Sequence, residues 1–362
     1  MKKSLIPLIS LLALTACGGA PASFVPGGGT DPEIELPEGL TGTNGSGGAL
    51  ERYEARDGNG GGYAEDIRYD KDKDEFFVDN LAFDGANSAY KRGTAIKSIG
   101  GANGLNSGPF AVYEGPESFP DSVTGDPISQ FRHRAIYAES RNTASNGAPR
   151  TRFAIVRTGS YTDYGFGGFV YAREGNTTIP RPNTDNRDSA QGLFTGSYAG
   201  LVDNAGRGGL MASTGTMELI IDFQDFNDGN QNGDAVRGTV SNRSFYNLDG
   251  SDATASYLGE LNEQLGYTSG TGLTKVPSLL FTIEPGVTLE NGEINGKVGN
   301  SVRGPDGTLV ENESGTYYAV LAGDANTIDS EVVGVLVVGH SLPNGITQRE
   351  TGGFIVYRGA GN

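Results

Sequence analysis

The sequence predicts an all-β protein: a C-terminal eight-stranded antiparallel barrel preceded by a second strand-rich domain. Three observations carry this. Glycine makes up 58 of 362 residues, about twice its usual share, and it punctuates short runs of Tyr, Phe, Val and Thr, residues that suit a pleated, half-buried surface. Within Thr216–Phe223, Met217, Leu219, Ile221 and Phe223 fall on one face while Thr216, Glu218 and Asp222 fall on the other, with Ile220 the exception, which is the pattern of an antiparallel strand wet on one side. Counted from Phe194, about eight such runs follow one another, the number at which a closed barrel is filled by side chains or holds one small ligand.

The chain opens on a processing signal. Met1-Lys2-Lys3 is a positive start, Leu5 to Leu14 an apolar stretch, and Leu14-Thr15-Ala16-Cys17 ends in the chain's one cysteine. This spacing predicts a lipoprotein signal peptide over residues 1–16 and acylation of Cys17, so that the partner of the N-terminus is the membrane. Several acyl chains hold a protein on a bilayer at about 0.8 kcal/mol per buried CH₂. Gly18 after the cysteine, in place of Asp, points to the outer membrane. One cysteine permits no intrachain disulfide, so stability must come from sheet and core packing.

Residues 17–50 are rich in Gly, Pro, Ser and Thr and lack periodicity, which predicts a flexible tether. The first domain is expected over 51–190. Ile67–Tyr69 and Phe76–Phe83 read as strands around Asp70-Lys-Asp-Lys-Asp74. The lysines between those carboxylates, with no Gly or Glu at loop distance, mark a solvated turn in place of a Ca²⁺ site. Phe110–Tyr113, Phe131–Tyr137, Arg152–Arg157 and Gly165–Tyr171 follow as strands. His133, between Arg132 and Arg134, is expected to be exposed. Tyr161, Tyr164, Phe166 and Phe169 form an aromatic cluster that is either a packed hairpin or part of a protein-binding face.

The polar, proline-bearing stretch 176–191 marks the boundary, and the barrel is expected over 191–358. Asp225–Asp234 lets the chain reverse. Its Asp228-Gly-Asn-Gln-Asn-Gly-Asp234 segment fits half of an EF-hand loop, but Thr239 stands where the bidentate Glu belongs, so it reads as a hairpin turn. Ser251–Gly266, with Leu258, Leu261 and Leu265 on one face, is the one helix. Asn291-Gly292 signals a type I′ turn, and Gly315–Leu321, Glu331–Val338 and Phe354–Tyr357 complete the strands.

A net charge of −17 and a pI near 4.5 argue against nucleic acid or an anionic lipid surface as partner, because both need clustered Lys and Arg. The sequence holds no Gly-x-Ser-x-Gly, no His-Glu-x-x-His and no phosphate-binding loop, and its two histidines, His133 and His340, fall in different domains. No enzyme, cofactor or metal is expected.

Gly196-Ser-Tyr198, Ile221-Asp-Phe223, Gly238–Arg243, Gly292–Gly296, Gly315-Thr-Tyr-Tyr318 and Glu331–Gly334, in this order, resemble the β-barrel domain of transferrin-binding protein B. The likeness runs over about 192–338, with residues 51–190 loosely similar to the handle half of such lobes. It implies a lipocalin-like barrel beside a handle-like domain, in an outer-membrane or surface lipoprotein that binds a protein or solute. Tyr198 stands where that family usually has Trp. In the family the partner is gripped by variable loops and the handle, so transferrin itself does not follow. The competing reading is a structural lipoprotein of the envelope with no soluble ligand. An integral outer-membrane barrel is disfavoured by the acylation signal and the small strands.

Overall fold

The computed structural model describes residues 22–23, 36–86, 88–101, 104–159, 163–180, 191–205, 207–226, 235–268, 270–342 and 345–359. Cys17, half of the tether and the Asp228–Asp234 loop lie outside the described residues, as does most of the 176–191 boundary.

The first sheet is antiparallel, in the order β1 (Leu40–Asn44), β2 (Leu50–Glu54), β8 (Gly167–Arg173), β7 (Thr151–Thr158), β6 (His133–Glu139) and β5 (Phe110–Glu114). Two short strands, Lys91–Arg92 and Ser98–Ile99, lie along β5. Residues 40–50, assigned to the tether from composition, are therefore part of this sheet: Leu40–Asn44 pairs with Leu50–Glu54. Ala22 and Ser23 also pair, with Tyr69 and Arg68. A Gly- and Thr-rich segment carries little sequence signal, but an edge strand needs only backbone hydrogen bonds on one side.

Both faces of this sheet are covered, which is why β7 and β8 are buried at every position. One face, carrying Phe110, Ile136, Phe153, Ile155, Phe169 and Tyr171, packs on the barrel wall. The other, carrying Tyr113, Ala135, Tyr137, Ala154 and Val170, is covered by the hairpin of β3 (Glu65–Asp70) and β4 (Glu75–Asp79) through Ile67, Phe76 and Val78. β4 ends at Asp79, short of the expected Phe83, where Asn80 and Phe83 take positive φ.

The barrel is closed and antiparallel. Its strands are β9 (Gln191–Ala205), β10 (Leu210–Asp222), β11 (Val236–Asn247), β12 (Leu279–Phe281), β13 (Glu293–Arg303), β14 (Leu309–Asp324), β15 (Ser330–Ser341) and β16 (Thr347–Arg358). Each pairs with the next, and β16 pairs back on β9. The alternation read from the sequence holds: Met217, Leu219, Ile221 and Phe223 all enter the core, facing Phe194, Val240, Leu336 and Phe354. Tyr198 is fully buried, and a Cβ added to Gly352 would lie 2.0 Å from its hydroxyl oxygen, so the ring passes over bare backbone there.

Helix α1 (Thr254–Gln264) confirms the expected helix in slightly shorter form, and Gly266 at φ +80° follows its end. Tyr257 and Leu261 pack on Val202 and Phe245. Gln264 Nε2 donates to Ser341 O at 2.5 Å and Tyr267 Oη to Arg303 O at 2.7 Å. The helix thus covers the barrel end to which Val202 and Phe245 belong. At Asn291-Gly292 only the glycine is left-handed, and Gly292 N donates to Leu289 O while Leu289 N donates to Glu293 O. This is the longer bulged turn, not the type I′ turn expected.

Sheet and barrel are joined by buried polar groups as well as by a shared core. Arg52 forms a two-pronged pair with Glu293 at 2.6 and 2.8 Å. Glu331 accepts from Ser140 at 2.8 Å and Thr151 at 2.7 Å. Arg173 donates to Leu321 O and Asn291 O across the same junction.

Candidate functional site

Among the described residues, the barrel interior is occupied by packed side chains. Its half nearest Phe223 is packed with apolar side chains. Toward α1 lies an ionic layer in which Arg243 donates to Glu313 at 2.7 Å through both terminal nitrogens and to Glu350 at 2.5 Å. Tyr198 and Ser213 donate to Glu350 at 2.7 and 2.6 Å, and Asn300 to Glu313 at 2.6 Å. Burial pushes the Glu313 carboxyl up, but the Arg243 guanidinium outweighs it and holds the group below the ordinary range. A barrel core of this kind leaves the molecular surface as the place for a candidate site.

Neither histidine lies on that surface. His133, expected to be exposed, is fully buried, and its Nδ1 lies 3.2 Å from Phe131 O. It shares a face with Ala135 and Tyr137, and the two flanking arginines point the other way. Burial lowers its pKa to about 4. His340 is buried in the barrel with Nδ1 2.9 Å from Asn312 O. Asp74, expected in a solvated turn, instead accepts from Arg92 at 2.5 Å, Tyr113 at 2.6 Å and Tyr69 at 3.1 Å. Among the described residues no group of three or more His, Cys, Asp or Glu is placed to hold a metal ion.

The aromatic cluster also turns inward. Phe169 is core, Phe166 meets Tyr63 edge-on at 5.3 Å, and Tyr164 donates to Thr347 at 2.7 Å beneath the Arg349 guanidinium. Tyr161 lies outside the described residues. Among the described residues of this cluster, Tyr164 and Phe166 are half-buried and Phe169 is buried.

The exposed feature is the segment 114–131 between β5 and β6. Ser118–Pro120 pairs with Pro127–Ser129 as a short two-stranded arm, with Phe119 opposite Ile128 and Pro120 opposite Pro127. Asp121 turns the chain: its Oδ1 accepts from Val123 N and Thr124 N at 2.8 Å, and Gly125, at φ +76°, donates back to Asp121 O. At the base, Phe131 N donates to Phe83 O at 2.9 Å, the two rings sit 5.0 Å apart, and Gln130 Oε1 accepts from Gly85 N. Apolar groups here face water: Val123 is 89% exposed, Phe83 55% and Ile128 41%. Every charge from 114 to 131 is acidic: Glu114, Glu117, Asp121 and Asp126. An isolated two-stranded hairpin is marginal by itself in water, and the opposed prolines deny the arm the edge hydrogen bonds by which strands aggregate. The sequence shows a Gly- and Pro-rich turn region here; the missed signal is the Asp121-to-Gly125 turn with Phe119 and Ile128 at matching distances from it.

No protein family matches the chain, and no curated protein matches it in sequence. Among solved structures it is similar to a double mutant of transferrin-binding protein B from Haemophilus parasuis, at 8% identity and a TM-score of 0.32, covering 89% of this chain and 54% of that one. A single mutant of the same protein gives 8% identity and a TM-score of 0.29, covering 90% of this chain and 67% of that one. A candidate outer membrane protein from Bacteroides fragilis gives 10% and 0.20, with 84% and 88% covered. The chain therefore spans about half the length of the first of these.

Proposed function

We propose that this chain is a lipid-anchored binding protein of the outer membrane or cell surface, which takes a protein partner on the arm 114–131. The observation that carries the reading is the arm itself. Val123 and Ile128 are exposed at 89% and 41% on a hairpin too small to stand alone, with acidic charges only. An apolar tip ringed by carboxylates fits a partner with an apolar hollow and a basic rim. The acylation signal ending at Cys17 supports the anchoring, and the ordered barrel motifs support the class.

The alternative is a structural envelope lipoprotein with no soluble ligand, which the filled barrel interior favours. The two are separated on intact cells. A photo-crosslinking residue at Val123 is expected to give one discrete protein adduct, absent when the same residue replaces Ile328, an exposed site on the barrel. Equal adducts at both positions, or full protection of the chain from added protease, would remove the surface-receptor reading. For the anchor, Cys17→Ser should abolish acyl labelling; retained label would show that Cys17 is not the acylated residue.

A further inference from the structure

A concavity, separate from the arm, lies where the first sheet meets the barrel wall. It has a volume of about 770 Å³, inside the range of roughly 300–1,000 Å³ typical of small-molecule sites. Its floor is Phe110, Ala138 and Ile355. Beside it Tyr69 of the β3–β4 hairpin packs on the buried Tyr137, with ring centroids 4.6 Å apart. The barrel side offers Thr195, Ser197 and Tyr357.

The charges there run against the rest of the molecule. Arg92, Arg141 and Arg358 line the cleft against one acid, Glu139, in a chain of net charge −17. Two of the arginines are occupied: Arg92 is held by Asp74, and Arg358 donates to Ala325 O and Gln191 O. Arg141 differs. Its guanidinium lies 3.9 Å from the centroid of the Tyr357 ring, its backbone N–H donates to the Tyr357 hydroxyl at 3.1 Å, and among the described residues no carboxylate pairs with it. Its neighbours Ser140 and Asn142 are pinned to the buried Glu331. The fork of donors is thus held in place with its edge open, the geometry that receives a carboxylate through two parallel hydrogen bonds. Around it are hydroxyl groups on Thr195 and Ser197 and the Glu139 carboxylate, itself accepting from the Tyr137 hydroxyl at 2.5 Å.

From this arrangement we infer that the cleft binds a short glycan carrying a carboxylate, with the acid on Arg141, sugar hydroxyls on Glu139, Thr195 and Ser197, and a ring face against the half-buried Tyr69. An aromatic carboxylate would use Arg141 and the ring but leave the hydroxyl and acid partners unanswered.

The test is calorimetric titration of the full chain with three probes: an oligosaccharide of glucuronic acid, the same oligosaccharide with its carboxyl groups reduced to alcohols, and benzoate. The acidic glycan is expected to bind, the reduced one at least about tenfold more weakly, and benzoate more weakly still. Arg141→Ala should lower affinity for the acidic glycan at least about tenfold, the scale of one lost charge-assisted pair, while Arg141→Lys keeps the charge and recovers only part. Arg141 is exposed, so its variants are expected to fold, which circular dichroism checks. Equal affinity for the reduced glycan, tighter binding of benzoate, no binding of the acidic glycan, or an Arg141→Ala variant that binds normally would each overturn the assignment.

Discussion

The barrel and the first sheet solve the same problem, the burial of antiparallel strands, in opposite ways. The barrel closes on itself, with the short β12 bridging β11 and β13, and buries one face of its strands against the others. The first sheet stays open and must be covered twice, by the barrel on one face and by the β3–β4 hairpin on the other. The closed unit carries its charged residues at its centre, as Arg243 with Glu313 and Glu350. In the open unit they gather at the junction and the margins, as Arg52 with Glu293 or Glu51 beside Tyr53. A self-contained sheet can house an ionic layer because everything around that layer is fixed. A borrowed cover has to be held on by polar pairs.

The largest test of that difference lies in the barrel. Arg243→Ala strands two buried carboxylates together, and urea denaturation should show a loss of about 3–5 kcal/mol. A loss under about 1 kcal/mol would mean that the ionic layer is not what organises the α1 end of the barrel.

A smaller effect is expected at the margin of the first sheet. Burial raises the Glu51 carboxyl to about 7, so the folded chain keeps a proton there that the unfolded chain has already released. The stability this carboxyl contributes is complete below about pH 4.5 and is lost as pH rises through 7. Glu51→Gln keeps an acceptor for the Tyr53 hydroxyl and removes the titration. Its stability relative to the natural chain should be unchanged at pH 4 and should grow to as much as about 3 kcal/mol by pH 8. His133 works in the opposite sense: held neutral to about pH 4, it costs stability as pH falls below 6.5. An advantage for Glu51→Gln that does not grow with pH would contradict the buried acid.

The smallest effect concerns how the open sheet is held to the closed one. The Tyr318 hydroxyl donates to Glu38 O at 2.7 Å from the barrel wall. Tyr318→Phe should cost about 1 kcal/mol, with faster amide exchange confined to Leu40–Asn44. Exchange that quickens evenly over the molecule would mean that β1 does not depend on this contact.

The same contrast decides what could be read from the sequence. Barrel strands are wet or lightly covered on one face over much of their length, so Met217, Leu219 and Ile221 announce themselves by alternation. Arg152–Thr158 is buried on both faces and shows only that it is a strand, with no indication of what covers it. His133 was within reach, since it keeps the period of two with Ala135 and Tyr137. The flanking arginines report only local charge, whereas the parity of the position reports burial. Arg243 was harder, because Asn242 at φ +53° interrupts the alternation just before it. Candidate sites divide along similar lines. The arm is local, and its turn chemistry could have exposed it. The cleft joins Arg141 to Tyr357 and Tyr69 to Thr195, and no local pattern connects residues so far apart in the chain.

The closing strand has a bearing on the order of events during folding. Thr347–Arg358 pairs with Gln191–Ala205 on one side and Ser330–Ser341 on the other, so the barrel has no closed form until residue 358 has emerged. The first sheet, by contrast, has all its strands by Arg173 but lacks the wall it packs on. A chain that folds from its N-terminus therefore keeps open edges throughout, and one stalled a dozen residues short presents two bare strands. A single late pairing turns an open-edged chain into a rigid body.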